Sequence, residues 1–310
     1  MPVDPAFAPL LALLDDPSVP SLADIGPVAA RQAFAAMRVD GDPTPVGSVT
    51  DRTVPGPSGE IPVRIVVPAG IAPTGVLVWF HGGGWVIGDL DTTEPVTRRL
   101  AAGAGCVVVS VDYRLAPEHP APAGVDDAWA AVTWVTAHLD ELGVSGGKVA
   151  VGGDSAGGNL AALVALRAAA AGVPLALQLL VYPATDLTMT SPSIAENGTG
   201  YFLTEEVMRW FVACNLSGGL AADDPAVSPW FASDDELRTV APACTIVAGF
   251  DPLRDEGRAY AERLAGLGVA SELLEYPTMI HGFLAMAAVT PVAVEATDAA
   301  AAALRAALAG

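Results

Sequence analysis

The 310-residue chain is 52% hydrophobic, so it can bury a large core, and only 16% of its residues are charged. Its net charge of −20 argues against nucleic acid and anionic membrane as partners, because both carry negative charge. The three cysteines, Cys106, Cys214 and Cys244, lie far apart without the spacing of a metal or redox motif. Cys106 and Cys244 stand inside apolar runs and are interpreted as small core residues.

The N-terminal residues have no basic region before their apolar run, so no signal peptide is predicted. No uncharged apolar run reaches the length of a membrane span. The sequence therefore predicts a soluble, cytoplasmic protein without membrane insertion. Asn197 and Asn215 begin glycosylation sequons, which in such a compartment are chance matches.

Residues 1–45 are predicted to be helical. Short apolar runs then alternate with longer Ala-rich helical segments, which is typical of a parallel sheet with helices on both faces. The sequence thus predicts an α/β fold. The predicted strands are Ile61–Val67, Gly75–Phe80, Cys106–Val111, Lys148–Gly152, Leu175–Tyr182, Cys244–Phe250 and Ser271–Tyr276. The predicted helices between and after them are Thr92–Ala104, Gly124–Leu142, Ala156–Ala171, Pro252–Leu267 and Pro291–Ala307.

Residues 184–241 are far longer than one crossover connection requires, and long excursions of this kind often bind substrate. They include a predicted helix, Thr204–Leu216, with Thr204 as its N-cap. We therefore expect residues 1–45 and 184–241 to form a two-part cap over a catalytic domain made of residues 46–183 and 242–310. The side chains expected to wall a substrate pocket are aromatic: Trp85, Tyr182, Phe202, Trp210, Phe211 and Phe283. For Trp210 alone, a place in the cap's own small core is the stronger interpretation.

The chemistry-bearing motif is Gly-Asp-Ser-Ala-Gly at residues 153–157. It lies between a predicted strand and a predicted helix, the context of the nucleophile turn in α/β-hydrolases. The turn is strained, so only small residues fit two positions before and after the serine. A chance match is common in an Ala/Gly-rich chain, but this context favours Ser155 as a nucleophile.

The general base and its partner acid are expected after Ser155, because hydrolases of this fold place them in the order serine, acid, histidine. His281 is the only histidine after Ser155, and it follows a predicted strand. Among many carboxylates, Asp251 directly follows another apolar strand. Asp255 is the alternative acid, although its place in the first turn of a helix suits interaction with the helix dipole.

The run His-Gly-Gly-Gly-Trp at residues 81–85 follows a predicted strand. Successive glycines allow the backbone N–H groups to approach a ligand. A phosphate cradle would look similar, but the Lys-Ser/Thr that completes such a loop is missing. We expect Gly83, Gly84 and Ala156 to donate to an oxyanion, and His81 to fix the loop.

Together with residues 113–120, 251–257 and 281–283, these motifs resemble the bacterial hormone-sensitive lipase family, in the family's order from about residue 75 to 283. The resemblance implies an α/β-hydrolase fold with a helical cap, no cofactor and no metal. It implies a carboxylesterase for short- to medium-chain acyl esters, with structural roles for Asp154, Glu118 and His119. It also suggests a homodimer through the Ser271–Tyr276 edge strand. A non-catalytic ligand receptor on this fold, an amidase, a lactone hydrolase and an acyltransferase remain alternatives.

Overall fold

A computed structural model describes residues 1–16, 18–37 and 44–309 of the chain. These residues form one eight-stranded sheet. Its strands in chain order are β1 (Ser48–Gly56), β2 (Gly59–Val67), β3 (Gly75–Phe80), β4 (Val107–Val111), β5 (Lys148–Asp154), β6 (Gln178–Val181), β7 (Ala243–Phe250) and β8 (Ser271–Ile280).

The spatial order of the strands is β1-β2-β4-β3-β5-β6-β7-β8. β2 pairs antiparallel with both β1 and β4, and every later pairing is parallel. The interior strands β3, β4 and β6 are buried at every position, as expected where helices cover both faces of a sheet. The predicted parallel α/β architecture is therefore confirmed.

The helices divide between the two faces of this sheet. They are α1 (Ala8–Leu14), α2 (Leu22–Ala36), α3 (Leu90–Ala104), α4 (Ala123–Ala137), α5 (Ala156–Ala171), α6 (Pro192–Asn197), α7 (Glu205–Asn215), α8 (Asp234–Leu237), α9 (Arg254–Gly266) and α10 (Pro291–Ala309). α3 and α10 pack together on one face, while α4, α5 and α9 share a core on the other. The central strands are thereby shielded from water on both sides.

Several elements differ from the sequence prediction. The strand predicted at Leu175–Tyr182 is shorter, Gln178–Val181, and the one predicted at Ser271–Tyr276 is longer, Ser271–Ile280. The strand β1 was not predicted, because its residues are mostly exposed and polar and it pairs only along one edge. The helix predicted over residues 124–142 ends at Ala137, and turns follow. His138, at this end, bonds back to the carbonyl of Trp134 through Nδ1 at 2.7 Å.

The two segments expected to form a cap are helical where the structure describes them. α1 and α2 lie in the first, part of which (residues 17 and 38–43) falls outside the described residues. α6, α7 and α8 lie in the second, and Thr204 caps α7 by accepting from the N–H of Val207 at 3.3 Å. In the described part of the chain, no helix combines the length and the hydropathy needed to cross a membrane.

Candidate active site

The turn that carries Ser155 joins β5 to α5, and Ser155 has a left-handed φ of +57°. A Cβ on Gly157 would overlap the carbonyl oxygen of Phe80, and one on Gly153 would overlap the backbone of Gly157. The chain can therefore turn this sharply only with glycine at both positions. The turn leaves the serine side chain at the carboxyl end of the sheet, above the start of α5.

Three side chains from separate strand ends meet at this turn. His281, which directly follows β8, has Nε2 2.9 Å from Ser155 Oγ. Its Nδ1 lies 2.7 Å from Asp251 Oδ2, beyond the end of β7. Since a carboxylate accepts, Nδ1–H donates to Asp251, which leaves Nε2 to accept from the serine hydroxyl. This hydrogen-bonded relay has the arrangement of a nucleophile, a base and an orienting acid.

Asp251 is completely buried, and its second oxygen, Oδ1, accepts from the N–H of Leu253 at 2.8 Å. Both carboxylate oxygens are thus held by donors, which fixes the plane of the group. The alternative acid, Asp255, instead forms an ion pair with Arg254 at 2.8 Å. The geometry therefore supports Asp251 as the partner of His281.

The glycine loop lies beside the same turn. Gly83 and Gly84 have φ values of +117° and +59°, and a Cβ on Gly83 would overlap the carbonyl of Ile87. Within the described chain, the N–H groups of Gly83, Gly84 and Ala156 have no protein acceptor. Gly82 differs, because its N–H donates to Asp154 Oδ1 at 2.9 Å. Gly82 thus ties the loop to the serine turn, and the next two residues keep free donors.

His81, the residue before the three glycines, holds this loop in place. Its Nδ1–H donates to the carbonyl of Gly82 at 2.8 Å, and its ring stacks on Tyr113 with 4.4 Å between centroids. The Tyr113 hydroxyl donates to the carbonyl of His81 at 2.8 Å. Burial lowers the pKa of His81 to about 4, so the ring is neutral at physiological pH. These contacts suit a structural residue.

Two of the aromatic side chains from residues 184–241 lie directly against the loops of Gly84 and His281. Phe211, on α7, packs so closely over Gly84 that a Cβ there would overlap its ring. Phe202 packs beside Gly282, the neighbour of His281. Trp210 packs against Phe211, with 5.0 Å between their ring centroids.

The other three expected pocket residues lie deeper. Trp85 is buried, and its Nε1–H donates to Asn159 Oδ1 at 3.3 Å. Tyr182 is buried under His281, with 4.7 Å between ring centroids, and has a positive φ of +35°. Phe283 is fully buried and packs against Tyr182. These rings support the loops from inside the core, and the structure places none of them on an open wall.

Two acids next to the relay, the partly buried Asp154 and the buried Glu256, have raised pKa values. Burial raises the pKa of Asp154 to about 6, although the N–H of Gly82 opposes the shift. Burial also raises the pKa of Glu256 well above its usual range, while Oε1 accepts from the N–H of Thr185 at 2.7 Å. Both shifts follow from the cost of a negative charge out of water.

Two other residues that support the site carry no recognisable signal in the sequence. Arg31, on α2, donates to the carbonyls of Val86 and Ala116 at 2.8 and 2.9 Å and pairs with Glu118 at 2.6 Å. Asn159, on α5, donates to the carbonyls of Ala184 and Val227, both at 2.8 Å. Their partners are distant in sequence, so no local motif marks them.

Among residues 1–16, 18–37 and 44–309, no group of three or more histidine, cysteine, aspartate or glutamate side chains is arranged to hold a metal ion. The arrangement that is present offers a serine nucleophile, a base with its orienting acid, and free N–H donors. Such an arrangement can attack a polarised carbonyl.

A family model for the alpha/beta hydrolase fold matches residues 77–285, more than half of the chain. The chain belongs to the α/β-hydrolase family. The matched range contains the whole relay and the glycine loop, which agrees with the resemblance to the bacterial hormone-sensitive lipase group noted from the motifs. For this α/β-hydrolase the fold predicted from sequence is confirmed.

Individual relatives and a solved structure extend the match. The carboxylesterase NlhH of Mycobacterium tuberculosis is 42% identical over 99% of this chain and 96% of its own length. The carboxylic ester hydrolase LipN of the same organism is 48% identical in a match that covers 76% of this chain and 64% of LipN. A hyperthermophilic esterase from Pyrobaculum calidifontis superposes with a TM-score of 0.93 at 39% identity, covering 99% of both chains.

Proposed function

We propose that this α/β-hydrolase is a serine carboxylesterase that hydrolyses short- to medium-chain acyl esters through an acyl-enzyme on Ser155. The observation that carries the proposal is the unbroken relay from Ser155 Oγ through His281 to the buried Asp251. Similarity to proteins named carboxylesterase and esterase over almost the full chain supports the same reaction class.

In the first half-reaction, Ser155 Oγ attacks the ester carbonyl while its proton passes to His281 Nε2. Asp251 keeps the imidazole in the tautomer that presents Nε2 to the serine, and its charge stabilises the imidazolium that forms. His281 then donates that proton to the leaving alkoxide, and an ester bond to Ser155 remains. In the second half-reaction His281 activates water, which releases the acid and restores the serine.

The negative charge on the tetrahedral intermediate is assigned to the N–H groups of Gly83, Gly84 and Ala156. Two come from a loop whose φ values only glycine adopts readily, and the third is the first N–H of α5, which has no partner within the helix. Losing one such donor typically lowers the rate about 100- to 1,000-fold. The hydrogen bond from the N–H of Gly82 to Asp154 holds the glycine loop beside the start of α5, so that all three donors stay close together.

The acyl or alcohol group is assigned to the space bordered by Phe202 and Phe211, because these rings lie against Gly282 and Gly84. An apolar wall of this kind binds additional methylenes at up to about 0.8 kcal/mol each. Residues 1–45 and 184–241 are proposed as the cap that closes this space.

We also propose a cytoplasmic location and a homodimer paired through β8. All three cysteines are free, which supports a reducing compartment. β8 lies at the edge of the sheet, so one side of its backbone is open to pairing with a second copy. Light scattering of the protein and of a Leu273→Pro variant in β8 tests the dimer, because proline removes a strand donor.

The function is tested with p-nitrophenyl esters from acetyl to decanoyl and with p-nitroacetanilide as the matched amide. Rapid acid quench followed by peptide mass spectrometry locates the acyl group. We expect fast hydrolysis of the shorter esters and an acyl group on the peptide that contains Ser155. Binding of the esters without hydrolysis would identify a receptor, and an acyl group on another residue would remove Ser155 from its role.

A further inference from the structure

The short helix α6 opens the excursion that was expected to form part of the cap, yet its buried side chains point toward the loop of Asp251. Ser193 and Asn197 are 0% and 2% exposed, whereas Glu196 between them is exposed. Serine and asparagine at such depth require hydrogen-bond partners. Within the part of the chain that the structure describes, their side-chain partners all lie in residues 249–255.

Ser193 contacts the acid loop twice. Its Oγ donates to the carbonyl of Pro252 at 2.6 Å and accepts from the N–H of Asp255 at 3.2 Å. The hydroxyl therefore bridges the residue after the triad acid and the first turn of α9. Both backbone groups would lose a partner if the hydroxyl were removed, and a buried group without a partner is costly.

Asn197 holds the acid residue itself. Its Nδ2 donates to the carbonyl of Asp251 at 3.2 Å and lies 3.4 Å from the carbonyl of Gly249. These bonds fix the backbone on both sides of the end of β7, from which the Asp251 carboxylate projects. The depth of Asn197 also supports the interpretation of its sequon as a chance match.

Neighbouring residues reinforce the same attachment. Arg254 pairs with Glu196 at 2.7 Å and donates to the carbonyl of Gly249 at 3.1 Å. The ring of Tyr201 packs against that of Phe250, with 5.0 Å between centroids. The segment from α6 to Tyr201 is therefore attached to the acid loop at several points.

We propose that α6 is a positioning element for the triad acid, with Ser193 and Asn197 as positioning residues that set the direction of the Asp251 carboxylate toward His281. The excursion then has two functional parts. Residues 192–202 are fixed to the catalytic loops, and any movement of the cap begins after them. This inference rests on the proposed esterase function.

The test compares Ser193→Ala with Ser193→Thr and with Ser191→Ala, a control two residues away whose hydroxyl forms no cap bond. Because Ser193 acts through Asp251 and not on substrate, we expect Ser193→Ala to lower kcat about tenfold with little change in KM. Ser193→Thr, which keeps the hydroxyl, should recover most of the loss, and Ser191→Ala should match the wild type.

The pH profile separates positioning from general destabilisation. A loosened Asp251 stabilises the protonated imidazole of His281 less, so the acid limb of kcat/KM should move to lower pH in Ser193→Ala. The charged groups facing His281, Asp154 and Asp251, are the same in all variants. Asn197→Ala should produce the same displacement, with Thr199→Ala as its exposed control.

The outcomes are distinct. An inactive wild type refutes the proposed function. An active wild type whose Ser193→Ala and Asn197→Ala variants keep both kcat and the acid limb refutes the positioning role alone. If Ser193→Ala does not fold, Ser193→Thr and Asn197→Ala decide, since an unchanged kcat and acid limb in both would also overturn the proposal.

Discussion

Gly153 and Gly157 face each other across the turn of Ser155, so closely that a Cβ on the first would overlap the backbone of the second. A Cβ on Gly157 would in turn overlap the carbonyl oxygen of Phe80. The position of Ser155 is thus set by close backbone contacts among the ends of β3 and β5 and the first turn of α5, which only glycine at residues 153 and 157 permits.

Replacing Gly157 with alanine should force these backbones apart. Overpacking of this kind costs about 1–3 kcal/mol, and a shift of the nucleophile by about 1 Å costs about 100-fold in rate. We expect a lower midpoint of urea unfolding and at least that loss in kcat/KM. Gly266→Ala is the matched control, because its Cβ would meet open space at the end of α9. If the two variants had the same urea midpoint and the same kcat/KM, the close approach at Gly157 would not be required for activity.

Arg31 provides a second test, because it connects the N-terminal helix α2 to the glycine loop through the carbonyl of Val86. We expect Arg31→Ala to lower the free energy of unfolding by about 2 kcal/mol, since it removes charge-assisted bonds to two carbonyls and to Glu118. It should also lower kcat/KM by loosening the loop. Arg209→Ala is the control, because that exposed arginine pairs only within α7 and should cost under about 0.5 kcal/mol. Equal losses of unfolding free energy and of kcat/KM in Arg31→Ala and Arg209→Ala would contradict this role for α2.

Phe211 is expected to influence acyl-chain preference, since its ring lies over Gly84. In the wild type, each methylene that contacts the wall adds up to about 0.8 kcal/mol, or about fourfold in kcat/KM. Phe211→Ala should flatten that dependence across p-nitrophenyl esters. Phe231→Ala, at an exposed phenylalanine of the same excursion, should keep the wild-type slope. A slope unchanged in Phe211→Ala would remove this ring from the pocket.

The raised pKa of Asp154 gives a prediction about stability and pH. The carboxyl titrates at about 6 when folded and at about 3.8 otherwise, so its contribution is complete below pH 4 and is lost as pH rises through 6. Ionising the carboxyl in the folded state costs no more than about 2 kcal/mol, because solvent reaches part of the residue and screens the charge. Asp154→Asn keeps an acceptor for Gly82 and removes the titration. Urea unfolding at pH 4.5 and pH 8 should show the variant gaining on the wild type at the higher pH, and a difference that does not depend on pH would contradict the assignment.

The relay was predictable because each of its members follows an apolar strand, and the ends of parallel strands meet at one edge of a sheet. The Ser155 motif is also local, so its glycines mark it without knowledge of the fold. β1 was not predictable, since an exposed edge strand such as residues 48–56 has the composition of a loop.

The roles of side chains that depend on contacts with distant residues could not be predicted from the sequence. Ser193 and Asn197 are of types usual on surfaces, and their partners lie 52 to 62 residues away. Aromatic composition likewise did not separate Phe211, which lies against the glycine loop, from Phe283, which packs inside the core. Burial is set by packing between elements, and one chain's pattern does not specify it.

The central claim, that Ser155 and His281 act as one catalytic unit, is tested most directly by a double-mutant cycle. Values of kcat for p-nitrophenyl acetate are measured for Ser155→Ala, His281→Ala and the double variant. We expect each single change to lower kcat by about a million-fold and the double variant to be little worse than either, because removing one member of a triad disables the others. Losses that multiply in the double variant, or a Ser155→Ala protein that still turns over the ester at a substantial rate, would contradict the account.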